Sequence, residues 1–121
     1  MVTADDVRRF CLALPEVYER PHHHVAMYYV GRRHLANTRS ILDGHLADMG
    51  GDRPVGVMKL DREDQLALIE ANPGVLLPHR YHARHGWAVL LLEEADTALL
   101  GMLRRLAWAG VAPKRLLKTA G

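Results

Sequence analysis

Trp87-Ala88-Val89-Leu90-Leu91-Leu92 is an unbroken run of six apolar residues, set between Gly86 and the acidic pair Glu93-Glu94. A run this short, bounded by glycine on one side and charge on the other, reads as a central strand and the most buried one. It falls far below the roughly 20 residues needed to span a bilayer, and no other apolar stretch approaches that length. The rest of the chain must therefore supply the cover. It has the means: 121 residues, 49% hydrophobic and 25% charged, is the balance of an ordinary globular protein. Only seven residues are aromatic, so aliphatic packing must supply most of the core. The length predicts one domain over residues 1–121, with no room for a second catalytic domain.

Around this strand the other elements follow from spacing and punctuation. Thr3 caps a first helix with Asp6 completing a capping box, and Val7, Phe10, Cys11 and Leu14 form its apolar face until Pro15 stops it. Glu16 to His24 reads as a polar stretch. Val25–Val30 is a strand, Gly31-Arg32 a two-residue type II′ turn, and His34–Thr38 the returning strand. Residues 40–54 read as a loop with a short strand near His45–Met49, and Val55–Leu60 as the next strand. Asp61 caps a second helix whose buried side is Leu66, Ala67, Leu68 and Ile69, ended by Asn72-Pro73-Gly74. A short apolar piece, Val75–Leu77, leads into a histidine-rich basic loop, Pro78 to Gly86. Asp96 caps a third helix with an apolar stripe of Leu99, Leu100, Leu103, Leu106 and Ala107, with Arg104 and Arg105 facing outward and Gly110 ending it. Pro113 opens a final short helix through Leu117. Hairpin-length connections without βαβ alternation predict an α+β two-layer sandwich, an antiparallel sheet with helices on one face.

One cysteine, Cys11, cannot form an internal disulfide, and the opening MVTADDVRRF lacks a basic segment followed by an apolar signal region. A reducing cytoplasm is the expected location, with no membrane association. Cys11 falls on the apolar face of its helix, where a buried hydrophobe is expected rather than a catalytic thiolate. Two groups of histidines, His22-His23-His24 and His79, His82 and His85, invite a metal reading, while His34 and His45 are scattered. None shows the Cys/His pairing of a structural zinc site or the spacing of a zinc hydrolase, so solvated or locally hydrogen-bonded imidazoles are expected. No Gly-x-Ser-x-Gly, Walker A loop or dinucleotide fingerprint occurs, and Glu93, Glu94 and Asp96 read as capping carboxylates. The sequence requires neither an enzyme nor a cofactor.

The charge distribution is more informative than its total of +2. Residues 61–96 hold seven acids against three bases, whereas residues 97–121 hold five bases and no acid. Arg104, Arg105, Lys114, Arg115 and Lys118 make up that basic end, and Arg32 and Arg33 sit at the hairpin tip. Brought together they would form an electrostatic footprint for phosphate; apart, they would be solubilising charge. In the loop, Arg80, His82, Arg84 and His85 interleave with Tyr81 and Trp87, a mixture that can contact phosphate and stack on a base. Trp87 alone reads as core. Six phosphate contacts from Arg32, Arg33, Arg80, Arg84, Lys114 and Arg115 would give a slope of log affinity against log salt of about −5.

Four segments, Val7-Arg8-Arg9-Phe10-Cys11-Leu12-Ala13-Leu14-Pro15, Val57-Met58-Lys59-Leu60-Asp61, Pro78 to Trp87, and Val111-Ala112-Pro113-Lys114-Arg115-Leu116, occur in an order and spacing that resembles the MmcQ/YjbR family of small bacterial proteins. The resemblance covers nearly the whole chain. It implies a frataxin-like (CyaY-like) α+β fold and a non-enzymatic DNA-binding role of the "double wing" kind. Matched to the family's motifs, the positions able to touch a ligand are Lys59, Arg80, Tyr81, His82, Arg84, His85, Lys114 and Arg115. The His22-His23-His24 run and Leu106-Ala107-Trp108-Ala109-Gly110 depart from the commoner pattern. DNA is the expected partner. The alternatives are a small-molecule or protein-interaction module at the groove beside residues 78–87, and a histidine metal site. The oligomeric state is open, with a monomer as the working expectation.

Overall fold

The computed structural model describes residues 1–22, 25–40 and 53–119. Helix α1 (Ala4–Leu12) starts where the local chemistry dictates. The Asp6 N–H donates to Thr3 Oγ1 at 3.1 Å, and the Thr3 N–H donates to the Asp6 carboxylate at 2.9 Å, a reciprocal capping box. The Thr3 backbone donor, then the Arg9 guanidinium, hold the Asp6 carboxyl below its ordinary range. Strands β1 (Val17–His22), β2 (Val25–Val30), β3 (Arg33–Ser40) and β4 (Pro54–Lys59) then run as an antiparallel meander. β1 lies within the stretch expected to be merely polar. It is an edge strand, pinned to α1 by Arg8 Nε donating to Glu19 Oε1 at 3.2 Å, and half-wet edges tolerate polar residues.

Gly31 and Arg32 join β2 to β3, with Gly31 at φ +60°, the sign a type II′ turn needs at its first central residue. The Tyr18 hydroxyl of β1 donates to the Gly31 carbonyl, and the Tyr18 and Tyr29 rings stack at 5.8 Å, so the hairpin tip is latched to its neighbour. A bulge opposite Tyr28 and Tyr29 shifts the β2–β3 register by one residue.

Helix α2 (Arg62–Ala71), β5 (Leu76–Pro78) and β6 (Trp87–Leu91) complete a six-stranded sheet of order β1-β2-β3-β4-β6-β5, antiparallel at every pairing. The apolar run thus becomes an interior strand, buried from Ala88 through Leu92. Pro21 and Pro78 fall on the two edge strands, where a missing N–H breaks no interior ladder. Side chains alternate between two faces. Val7 and Cys11 of α1 pack with Tyr28, Ala36, Met58, Ala88 and Leu90 of the sheet and with Leu100, Leu103 and Ala107 of α3 (Thr97–Val111). Val55, Val57, Val89 and Leu91 cluster separately, with Leu77 and Trp87 against them; the register places Val57 beside Val89 and Leu77 on its other side. Trp87 is therefore a packing residue, as its place at the head of the apolar run suggested. Helix α4 (Lys114–Thr119) follows Pro113 and buries Leu116 in the main cluster. The architecture is α+β, with an antiparallel sheet.

Three local expectations change. In α2 the fully buried residue is Gln65, while Leu66 is 51% exposed and Ala67 is exposed; Leu68 and Ile69 reach the core only partly. Gly110 does not end α3, which continues through Val111. Arg104 does not face outward: its Nη1 donates to the Phe10 carbonyl at 2.6 Å and its guanidinium covers the Phe10 ring at 5.0 Å, tying α3 to α1. Trp108 Nε1 adds a second tie, donating to the Pro15 carbonyl at 3.0 Å. Cys11 is fully buried, and that burial pushes its thiol up to about 12, the opposite of thiolate activation. His23, His24 and the His45–Met49 strand lie outside the described residues, as do the side chains of His22, His34 and Lys118. No helix among the described residues is long and apolar enough to cross a membrane.

Candidate functional site

The basic loop is an ordered turn. Leaving β5, His79 is buried and its Nδ1 accepts the backbone N–H groups of Tyr81 and His82, both at 3.2 Å. That occupies the imidazole lone pair a metal would need. Among the described residues no three His, Cys, Asp or Glu side chains are placed to hold a metal ion. A single 3₁₀ turn, Ala83–His85, follows and ends at Gly86 with φ +89°. Gly86 lies so close to the end of β4 that its carbonyl accepts the Leu60 N–H at 2.8 Å, and a Cβ there would sit 1.9 Å from the Leu60 carbonyl oxygen.

Gln65 fastens this turn to α2. Its Nε2 donates to the carbonyls of Ala83 at 2.9 Å and Trp87 at 2.8 Å, and its Oε1 accepts Arg62 Nη1 at 2.6 Å. Arg62 Nη1 also donates to the Ala83 carbonyl at 2.8 Å. A buried amide with donor and acceptor both satisfied stabilises; left unsatisfied it would cost about 1–3 kcal/mol.

The turn's position creates a cleft of about 320 Å³ lined by Lys59, Asp61, Arg62, Arg84 and His85, with Gly110 and Val111 of α3 closing it. A larger groove of about 650 Å³ lies between the hairpin tip and the α3–α4 junction. Its cationic rim is Arg32, Arg33, Lys114 and Arg115, its floor is Val30, Val111, Ala112, Pro113 and Leu117, and its one acid is Glu16. Val111 lines both cavities, so the cleft and the groove adjoin at the C-terminal end of α3.

The ten sequence-predicted site residues divide accordingly. Arg32, Arg33, Lys114 and Arg115 line the groove, and Lys59, Arg84 and His85 line the cleft. Arg80, Tyr81 and His82 line neither: Arg80 lies over the Tyr81 ring at 5.5 Å, Tyr81 is 54% exposed, and the His82 ring packs 5.0 Å from that of His79. Arg115 is also engaged, in a two-point pair with Glu16 at 2.7 and 2.9 Å. That pair holds the Glu16 carboxyl below its ordinary range and raises the arginine. Arg32, Arg33, Lys59, Arg84 and Lys114 have no ion pair among the described residues.

A solved protein shares this arrangement of elements. The chain matches the crystal structure of the Deinococcus radiodurans protein DR2400, a DUF419 domain, with a TM-score of 0.73 and 25% sequence identity, over 98% of this chain and 88% of that one. No family model and no curated protein matches the chain. The likeness is to an uncharacterised domain, so what the site does must be argued from its own residues.

Sequence reasoning missed Glu16, Arg62, Gln65 and Val111. Glu16 carried a signal, standing just after Pro15 at the end of a helix, where a chain reversal is expected. The other three acquire their roles only through neighbours distant in the chain.

Proposed function

We propose that this chain is a non-enzymatic nucleic-acid-binding protein of the MmcQ/YjbR type, engaging backbone phosphates across the groove and the cleft. The observation that carries the reading is that five cations without ion-pair partners among the described residues line two cavities sharing Val111, Arg32, Arg33 and Lys114 in the groove and Lys59 and Arg84 in the cleft. Cations that outnumber the acids beside them, Glu16 in the groove and Asp61 in the cleft, favour an external polyanion. The DUF419 neighbour supports the family reading through its fold. A lone, buried thiol fits a reducing cytoplasm.

Fluorescence anisotropy of a labelled duplex, titrated at several salt concentrations, tests it. If all five cations meet phosphates, the slope of log affinity against log salt is about −4.5. Absence of binding at low salt, or binding indifferent to salt, overturns the proposal. The exposed Tyr81 under Arg80 favours a second reading, a small-molecule or protein surface at residues 78–87. In that case Tyr81→Ala abolishes ligand binding while the melting temperature stays constant.

A further inference from the structure

We infer that the Arg115 guanidinium is a phosphate subsite of the larger groove, and that Glu16 occupies it in the free protein. The inference rests on the phosphate-binding reading above and deepens it. Arg115 Nη1 and Nη2 meet the two Glu16 carboxylate oxygens at 2.7 and 2.9 Å, the fork-to-fork geometry a guanidinium also offers a phosphate. Both residues line the groove whose other charged residues, Arg32, Arg33 and Lys114, are all cationic. Glu16 is thus an internal anion sitting where an external one would be drawn.

The backbone supplies an independent sign. Glu16 has φ +58°, the only positive φ at a non-glycine position among the described residues. A side chain disfavours that region, and at the third position of a turn such as Leu14–Val17, where the Val17 N–H donates to the Leu14 carbonyl and Pro15 stands second, glycine is the usual occupant. Here the position carries a carboxylate instead, aimed at the groove's arginine. Both partners are exposed, so the pair is weak enough for a more highly charged anion to displace.

The groups able to occupy the fork are phosphates, whether of a nucleic-acid backbone or of a free ion, and two probes separate these sources. Glu16→Gln removes the charge, and Glu16→Gly removes the carboxylate and relieves the backbone, so at least one variant stays folded, as a thermal melt verifies. Inorganic phosphate is titrated into each protein while the Arg115 Nε–Hε resonance is followed by NMR, and a labelled duplex is titrated in parallel. Expected are a gain of about threefold to fivefold in phosphate affinity, with a shift at Arg115, and a duplex salt slope steepened to about −5.4. Arg115→Gln in the Glu16→Gly background should abolish both gains. Unchanged phosphate and duplex affinities in both Glu16 variants overturn the inference, and duplex binding by the wild type then leaves the parent reading standing. A phosphate gain with no duplex binding by any variant upholds the subsite for free phosphate and overturns the nucleic-acid reading.

Discussion

Gly86 and Gly31 both sit at positive φ, +89° and +60°, but they differ in what a side chain would meet. Around Gly31 nothing lies within 4 Å of a Cβ, so Gly31→Ala bears only the backbone penalty, roughly 1 kcal/mol. At Gly86 the added carbon would collide with the Leu60 carbonyl, so Gly86→Ala should cost about 3 kcal/mol or more and distort the cleft. Urea denaturation of the two variants gives both values. Cys11 yields a pH prediction. Its buried thiol ionises near 12 against an ordinary 9.0, so between these values the unfolded chain is the more ionised. Stability is then fully present below about pH 9 and falls as pH rises toward 12. Tyr28, raised by burial and then by Glu19, acts in the same direction. Thermal melts at pH 8 and 10 should show the loss, with a shallower decline in Cys11→Ala, and thiol reagents at pH 8 should leave native Cys11 unmodified. The burial of Cys11 was legible because its partners, Val7 and Leu14, repeat at helical spacing along one segment. The burial of Gln65 was not, since its reason is a pair of carbonyls at Ala83 and Trp87 that only the folded chain brings near.

At the scale of elements, α1 depends on α3 for its anchorage, through Arg104 to Phe10 and Trp108 to Pro15. Trp108→Phe keeps an aromatic ring but loses the donor, leaving the Pro15 carbonyl unbonded, and vacates part of the buried indole's space, so it should cost about 2 kcal/mol. Arg104→Met should cost less than its contacts suggest. It loses one hydrogen bond and a ring contact, but it also removes a buried Nε without a partner, and the balance is roughly 1 kcal/mol or below. Chemical denaturation measures both, and hydrogen exchange should report faster opening of α1 in Trp108→Phe. Elements whose signals are local were read nearly to the residue: the capping box of α1, the glycine turn before β3, the apolar run of β6. β1 was not, because Val-Tyr-Glu-Arg-Pro-His has no clean alternation and contains a proline, and its strand character comes from pairing with β2. The Arg104 error has a similar origin. Four residues after Leu100 and three before Ala107, Arg104 borders the buried stripe of α3, and only the folded chain brings the Phe10 carbonyl and ring within its reach.

Across the whole molecule, the basic end of the chain meets the hairpin and the 79–87 turn around Val111, although the intervening sequence is acidic. If the cleft and groove form one phosphate-binding surface, Lys59→Ala and Arg84→Ala should each make the duplex salt slope shallower by about 0.9. Arg53→Ala should leave it unchanged, because Arg53 precedes the opposite end of β4 from Lys59 and is paired with Glu94. Anisotropy titrations of the three variants decide the point. Segment charges could suggest such a surface, but its position could not be read from them, since it depends on where β6 inserts in the sheet. The order that inserts β6 between β4 and β5 also fixes the sheet's two rims. One rim holds Pro21, and the other is only three residues long and ends at Pro78. A partly unfolded neighbour seeking an open strand to extend finds an interrupted row of N–H groups on one side and almost no row on the other, so the sheet is built against runaway self-association.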